Sequence, residues 1–215
     1  NPLSLARMLV LLPNRRAARS LREAFLRASQ GRPMLLPRMS PLGDIEEDPL
    51  LLEGEAGLAG AADLYPAIDP MQRQMLLARL IAKAGHSLGG GTPDQAYRLA
   101  GELASLLDQM QMEGVPLDRL AGLVPDEFAR HWHQTLKFLD ILSGAWPAIL
   151  QEREALDPVE RRNRLLRAQA ESWSREPPDH PIIAAGSTGS IPATAELLGV
   201  VASLPKGRLV LPGLD

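Results

Sequence analysis

Two short apolar runs at opposite ends of the chain constrain its fold most. Met8–Leu12 is a continuous apolar run that Pro13 stops, and apolar residues at helical spacing follow it as far as Gly31. Ile182–Ala185 is a second such run, followed by a glycine-rich turn and another helical pattern. A short apolar run bounded by a breaker is typical of a strand covered on both faces. Because a last run at Arg208–Leu211 follows, the order strand, helix, strand predicts an α/β fold with a parallel sheet.

The long stretch between these ends predicts about four amphipathic helices. Three helix starts pair a capping side chain with proline in the first turn: Asp69-Pro70, Thr92-Pro93 and Asp157-Pro158. Pro125 opens a further helical pattern, which Pro147 should kink or break near Gly144. Such helices bury their apolar faces only against one another, so they predict a helical bundle inserted into the α/β unit.

These patterns define the expected domains. The α/β domain takes residues 1–43 and 181–215, the helical insertion takes 65–178, and an acidic, Gly/Ala-rich connector takes 44–64. In the first bundle helix the stripe expected to face the core is Met71, Met75, Leu76 and Leu80. Three tryptophans fall on or near such stripes and are expected in the core: Trp132, Trp146 and Trp173.

Composition and charge narrow the possible functions. The chain of 215 residues has no cysteine, which excludes disulfides and thiolate metal sites and fits a reducing compartment. It contains no run of about 18 apolar residues, so we expect a soluble, cytoplasmic protein without a membrane span. The formal net charge is -3, so any contact with nucleic acid must come from a local basic patch.

Such a patch opens the first long helix. Asn14 is placed to cap it, and Arg15, Arg16 and Arg19 crowd its first turns, where the positive end of the helix dipole disfavours cations. A helix start with free N–H groups and guanidinium groups can bind phosphate. The alternative is a solvated basic face beside the packing stripe.

The turn Gly186-Ser187-Thr188-Gly189-Ser190 lies between a strand and a helix, where α/β folds bind phosphate. It lacks the GxxxxGK[ST] pattern and has no lysine placed to reach a nucleotide phosphate. Gly186, Ser187 and Thr188 are therefore candidate nucleotide contacts only by position, and an ordinary turn is the alternative.

No metal site or catalytic constellation is indicated. His131 and His133 are two apart on a predicted helix and point to different faces, while His86 and His180 lie in distant loops. The acidic run Glu46-Glu47-Asp48 is typical of a solvated loop. We expect no metal, no cofactor and no catalytic residue in this chain.

Long stretches of the chain resemble the AddB subunit of alphaproteobacterial AddAB helicase–nucleases. They are LVLLPNRRAARSLREAFLR, LLPRMSPLGDIEED and IIAAGSTGSIPATAELLGVVASLPKGRLVLPGLD, with PMQRQMLLARLI, FARHWHQTLKFLDILSGAWPAIL and LDPVERRNRLLRA between them. The resemblance implies a superfamily 1 helicase-like region, built as a RecA-like domain interrupted by a helical domain. The chain lacks an initial Met and ends just past its last predicted strand, as a segment of such a subunit would.

The resemblance also implies roles for residues. LLPNRRAARS occupies the place of helicase motif Ia, so Asn14, Arg15, Arg16 and Arg19 are expected to contact single-stranded DNA. The MSPLG segment, with Ser40 and Gly43, resembles the next DNA-facing loop. The strand Ile182–Ala185 ends without the acidic pair that holds Mg²⁺ in an active helicase, so ATP hydrolysis is not expected.

The implied function is a DNA-guiding scaffold without motor chemistry in double-strand-break repair. Its partners would be an AddA-type helicase–nuclease subunit and broken-end or single-stranded DNA. Two alternatives stay open: a nucleotide-binding, P-loop-like enzyme domain that uses the GSTGS turn, and a purely protein-binding helical module.

Overall fold

The apolar run that follows Met8 forms an interior strand of a parallel sheet. The computed structural model describes residues 3–44, 63–84, 92–116 and 141–213. Its strands are β1 (Leu9–Leu12), β2 (Arg38–Pro41), β3 (Ile182–Ala185) and β4 (Gly207–Val210), in the order β2-β1-β3-β4. All three pairings are parallel, and Leu9 lies opposite both Arg38 and Ile182. The predicted α/β class and parallel sheet are confirmed.

The side chains of β1 alternate between two apolar clusters, as the period of a strand requires. Leu9 and Leu11 belong to a cluster with Trp173 and Leu197, whereas Val10 and Leu12 pack with Ala18, Met39 and their neighbours. All four residues of β1 are buried. The prediction of a strand covered on both faces is therefore confirmed for β1.

Strand β2 was not predicted as a strand. The MSPLG segment was expected to be a loop, but Met39, Ser40 and Pro41 belong to β2, and only Leu42–Asp44 form a short 3₁₀ turn after it. The segment lacks an apolar run, and prolines lie at positions 37 and 41. Proline is tolerated on an edge strand such as β2, and here the pairing with β1 determines the extended backbone.

Seven α-helices lie in the described part of the chain. They are α1 (Leu3–Ala6), α2 (Arg15–Ala28), α3 (Pro70–Ala84), α4 (Pro93–Glu113), α5 (Trp146–Glu152), α6 (Pro158–Arg175) and α7 (Pro192–Ser203). The predicted caps are confirmed at three starts, because Asn14, Asp69 and Thr92 each accept a backbone N–H three residues later. Helix α4 ends at Glu113, and Gly114 caps it with a φ of 65°, in the left-handed region that glycine favours.

The chain divides into two compact units. The sheet unit comprises the residues up to Leu64 and those from Arg162 onward, and the helical unit comprises Tyr65–Arg161. The predicted helical segment extended to residue 178. In the structure, the later part of α6 instead packs with the sheet through Leu165, Leu166 and Trp173.

The buried face of helix α3 overlaps the predicted one only in part. Met71 and Met75 are 70% and 52% exposed, whereas Leu77 and Ile81 are almost fully buried, with Arg73 on the same side at 4%. Leu76 and Leu80 pack at the margin of the core. The prediction is confirmed for Leu76 and Leu80 and wrong for Met71 and Met75, because the buried face is centred on Arg73, Leu77 and Ile81.

A buried ion pair explains why Arg73 occupies the core of the helical unit. Its Nε atom lies 2.8 Å from Oδ1 of Asp157, and its Nη1 donates to Asp108 Oδ1 at 2.8 Å. The other oxygen of Asp157 accepts from Trp146 Nε1 at 3.0 Å and from Gln111 Nε2 at 2.9 Å. Asp157 was predicted as a helix cap, and its carboxylate joins groups from α3, α4 and α5.

The break predicted at Pro147 coincides with a change of helix type. Ile141–Ala145 forms a π-helix, and α5 starts at Trp146 with Pro147 in its first turn. Trp146 and Trp173 are buried, which confirms the prediction for these two. Other predicted features lie outside the described residues: most of the connector, the acidic run 46–48, the start of the Pro125 helix, Trp132, and His86, His131 and His133.

Candidate functional site

The start of α2 presents a concentrated positive charge to solvent. Asn14 Oδ1 accepts the Ala17 N–H at 2.9 Å, and Arg15, Arg16 and Arg19 are exposed. The helix carries five arginines against one glutamate, and its first turn has no acidic residue. Cations at this end of a helix are disfavoured by roughly 0.3–1 kcal/mol each. A phosphate held at the helix start would relieve that repulsion.

Ser40 is 1% exposed within β2, so its hydroxyl is not presented at the surface as a DNA contact would require. Gly43 lies just beyond β2 and approaches the end of β1 closely. Its N–H donates to the Pro13 carbonyl at 3.3 Å, and a Cβ at position 43 would lie 3.1 Å from that oxygen. The glycine therefore allows the two chain segments to meet.

A cavity of about 200 Å³ opens at the carboxyl ends of three neighbouring strands. Pro13 follows β1, Leu42 and Gly43 follow β2, and Gly186 follows β3. The remaining lining residues are Ser187, Thr188, Ser190, Ile191, Thr194 and Arg162. Since β1 lies between β2 and β3, the chain leaves β1 toward one side and later returns on the other. Open parallel sheets bind ligands at such a reversal of strand order.

The cavity joins residues that the sequence presented as separate candidates. Gly43 lines it together with Gly186, Ser187 and Thr188, while Asn14 is the next residue after the lining Pro13. Within the turn, Gly186 and Gly189 have φ of 76° and 66°, which favours glycine at both positions. The parallel register brings these loops to one edge of the sheet.

Arg162 is the functional candidate that sequence reasoning missed. It is partly exposed and lines the cavity from α6, yet its Nη2 atom is buried and has no hydrogen-bond partner in the part of the chain that the structure describes. A buried guanidinium N–H without an acceptor is costly, by roughly 1–3 kcal/mol or more. In the sequence Arg162 is one of several arginines on a helix, and only the fold shows which of them reaches the sheet edge.

The described side chains that line the cavity are mostly hydrogen-bond donors. Among the described side chains that line it are one arginine, three hydroxyl residues of the turn and Thr194, and none of these described side chains is a carboxylate. Mg²⁺ in phosphoryl-transfer sites is held by carboxylate and hydroxyl oxygens together with substrate phosphates. Across ranges 3–44, 63–84, 92–116 and 141–213, no three His, Asp or Glu side chains are grouped as a metal site would need.

No protein-family model matches the chain, and no curated protein matches it in sequence. Among the helices in the described ranges, none has both the length and the apolar character needed to cross a bilayer.

Proposed function

We propose that this chain is a helicase-like segment without motor chemistry that guides a single DNA strand in double-strand-break repair. In this proposal the sheet unit is a RecA-like domain, the helical unit is its insertion, and the parent protein is an AddB-type subunit. The observation that carries the proposal is the exposed arginine group at the start of α2, directly after an interior strand of a parallel sheet. Guanidinium groups and free helix N–H groups are suited to backbone phosphates.

We also propose that the helical unit contacts an AddA-type partner subunit. Met71 and Met75 lie one turn apart on α3 and are largely exposed. Methionine adapts its shape readily and is common at protein-binding surfaces. The proposed contact is therefore the outer face of α3.

The nucleotide-enzyme alternative is less well supported. The cavity beside the GSTGS turn, at about 200 Å³, is smaller than the roughly 300–1,000 Å³ of sites that enclose a drug-sized ligand. ATP turnover by the chain would favour that alternative over the scaffold.

The test of the DNA proposal is fluorescence anisotropy of a labelled single-stranded oligonucleotide over a range of salt concentrations. The variant is Arg15→Ala/Arg16→Ala/Arg19→Ala. The control, Arg153→Ala/Arg164→Ala/Arg175→Ala, removes three exposed arginines elsewhere. Each single-strand phosphate contact contributes about 0.7 to the slope of log affinity against log salt, so the first variant should lose up to about 2 of that slope.

The control should keep most of the affinity and the slope. The proposal fails if the native chain does not bind at low salt. It fails also if the two triple variants weaken binding equally, because net charge would then account for the effect.

A further inference from the structure

We infer that the DNA strand lies lengthwise along α2, on a stripe of three arginines, and that Arg22 is a further phosphate contact beyond the helix start. The stripe comprises Arg15, Arg19 and Arg22. This inference rests on the DNA function proposed above and adds to it the path of the strand. The alternative path crosses the helix start only and leaves Arg22 without a phosphate.

The spacing of the three arginines places them in one line. They are four and three residues apart, and residues at these separations lie one above the other on a helix. All three are exposed. With a rise of about 1.5 Å per residue, the stripe is about 10 Å long, which is room for more than one phosphate of a strand.

The opposite face of α2 is packed, and this packing fixes the direction of the stripe. Ala18 is buried in the apolar cluster of Val10 and Leu12, and Leu21 and Phe25 pack against the same cluster. Because these contacts fix the rotation of α2 about its axis, the stripe faces away from the sheet. The three arginines are therefore presented together on one outward side of the helix.

Positive charge is most concentrated around Arg19. Arg15 and Arg16 precede it by four and three residues, and Arg22 follows it by three. Like charges at these spacings repel one another and destabilise a helix. Within the described part of the chain, neither Arg19 nor Arg22 forms an ion pair that would offset this repulsion. Arginines clustered along one helix face in this way are the electrostatic footprint of a nucleic-acid site.

The ligand that fits such a stripe is a single strand lying along it. Guanidinium groups pair with phosphate oxygens, and the phosphates of a strand repeat along a line as the arginines do. Leu26 follows Arg22 by four residues in the same line and is largely exposed. An exposed apolar side chain offers contact to an unpaired base, which a duplex does not present.

The experiment compares Arg22→Ala with Arg27→Ala in the salt titration of oligonucleotide anisotropy. Both arginines are exposed on α2, so the two variants lose the same charge. Arg27 is the matched control because it lies about a third of a turn away from the stripe. Arg22→Ala should lower the slope of log affinity against log salt by about 0.7, since one single-strand phosphate contact is lost. Arg27→Ala should leave the slope as it is in the native chain.

Cross-linking gives a second readout that leaves every arginine in place. The chain contains no cysteine, so Leu26→Cys and Ser20→Cys each introduce a single thiol. Position 26 lies in line with the stripe, whereas the exposed Ser20 lies nearer the helix start but on another side of α2. An oligonucleotide with a mixed disulfide at one or the other end should cross-link faster at position 26 than at position 20.

Failure of the path and failure of the DNA function give different results. The path is overturned if the native chain binds DNA but Arg22→Ala and Arg27→Ala bind with equal slopes. It is overturned equally if position 20 cross-links faster than position 26. In both cases the DNA function stands as long as the Arg15/Arg16/Arg19 variant loses binding. If the native chain binds no oligonucleotide at low salt, the DNA function fails and the path fails with it.

Discussion

At the scale of single residues, Gly207 shows how one missing side chain allows two elements to meet. A Cβ at this position would overlap the carbonyl oxygen of Val201 in α7. The obstacle is backbone, which cannot move aside as a flexible side chain could. The chain therefore turns from α7 into β4 only with glycine here.

Gly207→Ala should lower the free energy of unfolding by about 3 kcal/mol or more, because the backbone must shift to remove the clash. The matched control is Gly199→Ala, an exposed glycine within α7 whose added Cβ meets nothing within 4 Å. That change should raise stability by roughly 0.5–1 kcal/mol, since alanine favours helix over glycine. Urea unfolding followed by circular dichroism measures both. Equal stabilities for the two variants would contradict the packing described for β4.

At the scale of elements, a buried ion pair ties the helices of the helical unit together. The side chains of Arg73 and Asp157 are 5% and 3% exposed, and they connect α3 with the start of α6. Burying two charges is itself costly, so the pair is not expected to stabilise the unit more than apolar residues would. Removing only one partner is different, because it leaves an uncompensated buried charge.

Arg73→Met should destabilise the chain by about 3–5 kcal/mol. The double variant Arg73→Met/Asp157→Asn should recover part of this loss, because the buried side chain at position 157 is then uncharged and its amide oxygen still accepts from Trp146, while the remaining carboxylate of Asp108 is partly exposed. Arg79→Met, an exposed arginine on the same helix, is the control and should change stability little. Denaturant unfolding followed by tryptophan fluorescence gives the three values. A double variant less stable than Arg73→Met would show that the charges are not the main interaction.

At the start of α2, a change that stabilises the folded chain should weaken the proposed binding of DNA. Asn14→Asp keeps the capping oxygen and adds a negative charge beside the exposed arginines, so it should stabilise the free chain by roughly 0.3–1 kcal/mol. The same charge should weaken single-strand binding. Asn14→Ala removes the cap and should cost about 0.5–2 kcal/mol. Thermal unfolding and oligonucleotide anisotropy together measure this, and an aspartate variant that binds DNA more tightly would contradict the proposed site.

The elements differ in how well sequence predicted them. Starts of α2, α3 and α4 were predicted because a cap and the N–H group it accepts lie three residues apart, within one stretch of sequence. The buried face of α3 was predicted only in part, because Arg73 is buried through its pairing with Asp157, which lies 84 positions further along. Strand β2 was not predicted because its extended backbone depends on pairing with β1. Local interactions can be read from sequence, whereas these two depend on tertiary contacts.

At the scale of the whole molecule, the candidate residues could be identified from local sequence, whereas the site that they form depends on tertiary contacts. Asn14, Gly43 and Gly186 were singled out individually from sequence, but their place at one edge of the sheet follows from the strand order. Arg162 was not singled out, since its relation to the cavity depends on how α6 packs in the sheet unit. The net charge of -3 also conceals the arginine-rich start of α2. The net charge therefore indicates no function, whereas the distribution of charge at one helix start and the loops brought together by the strand order do.

The pairing of β1 with β3 has a consequence for biosynthesis. Leu9 and Ile182 are neighbours in the sheet but are 173 positions apart in the chain. At a translation rate of about 5–20 residues per second, roughly 10–35 s pass between the synthesis of β1 and that of β3. Throughout that interval one edge of β1 has no partner from β3, and its leucines and valine are available to other chains. Newly made chains should therefore depend on chaperones that shield β1 until the later strand emerges.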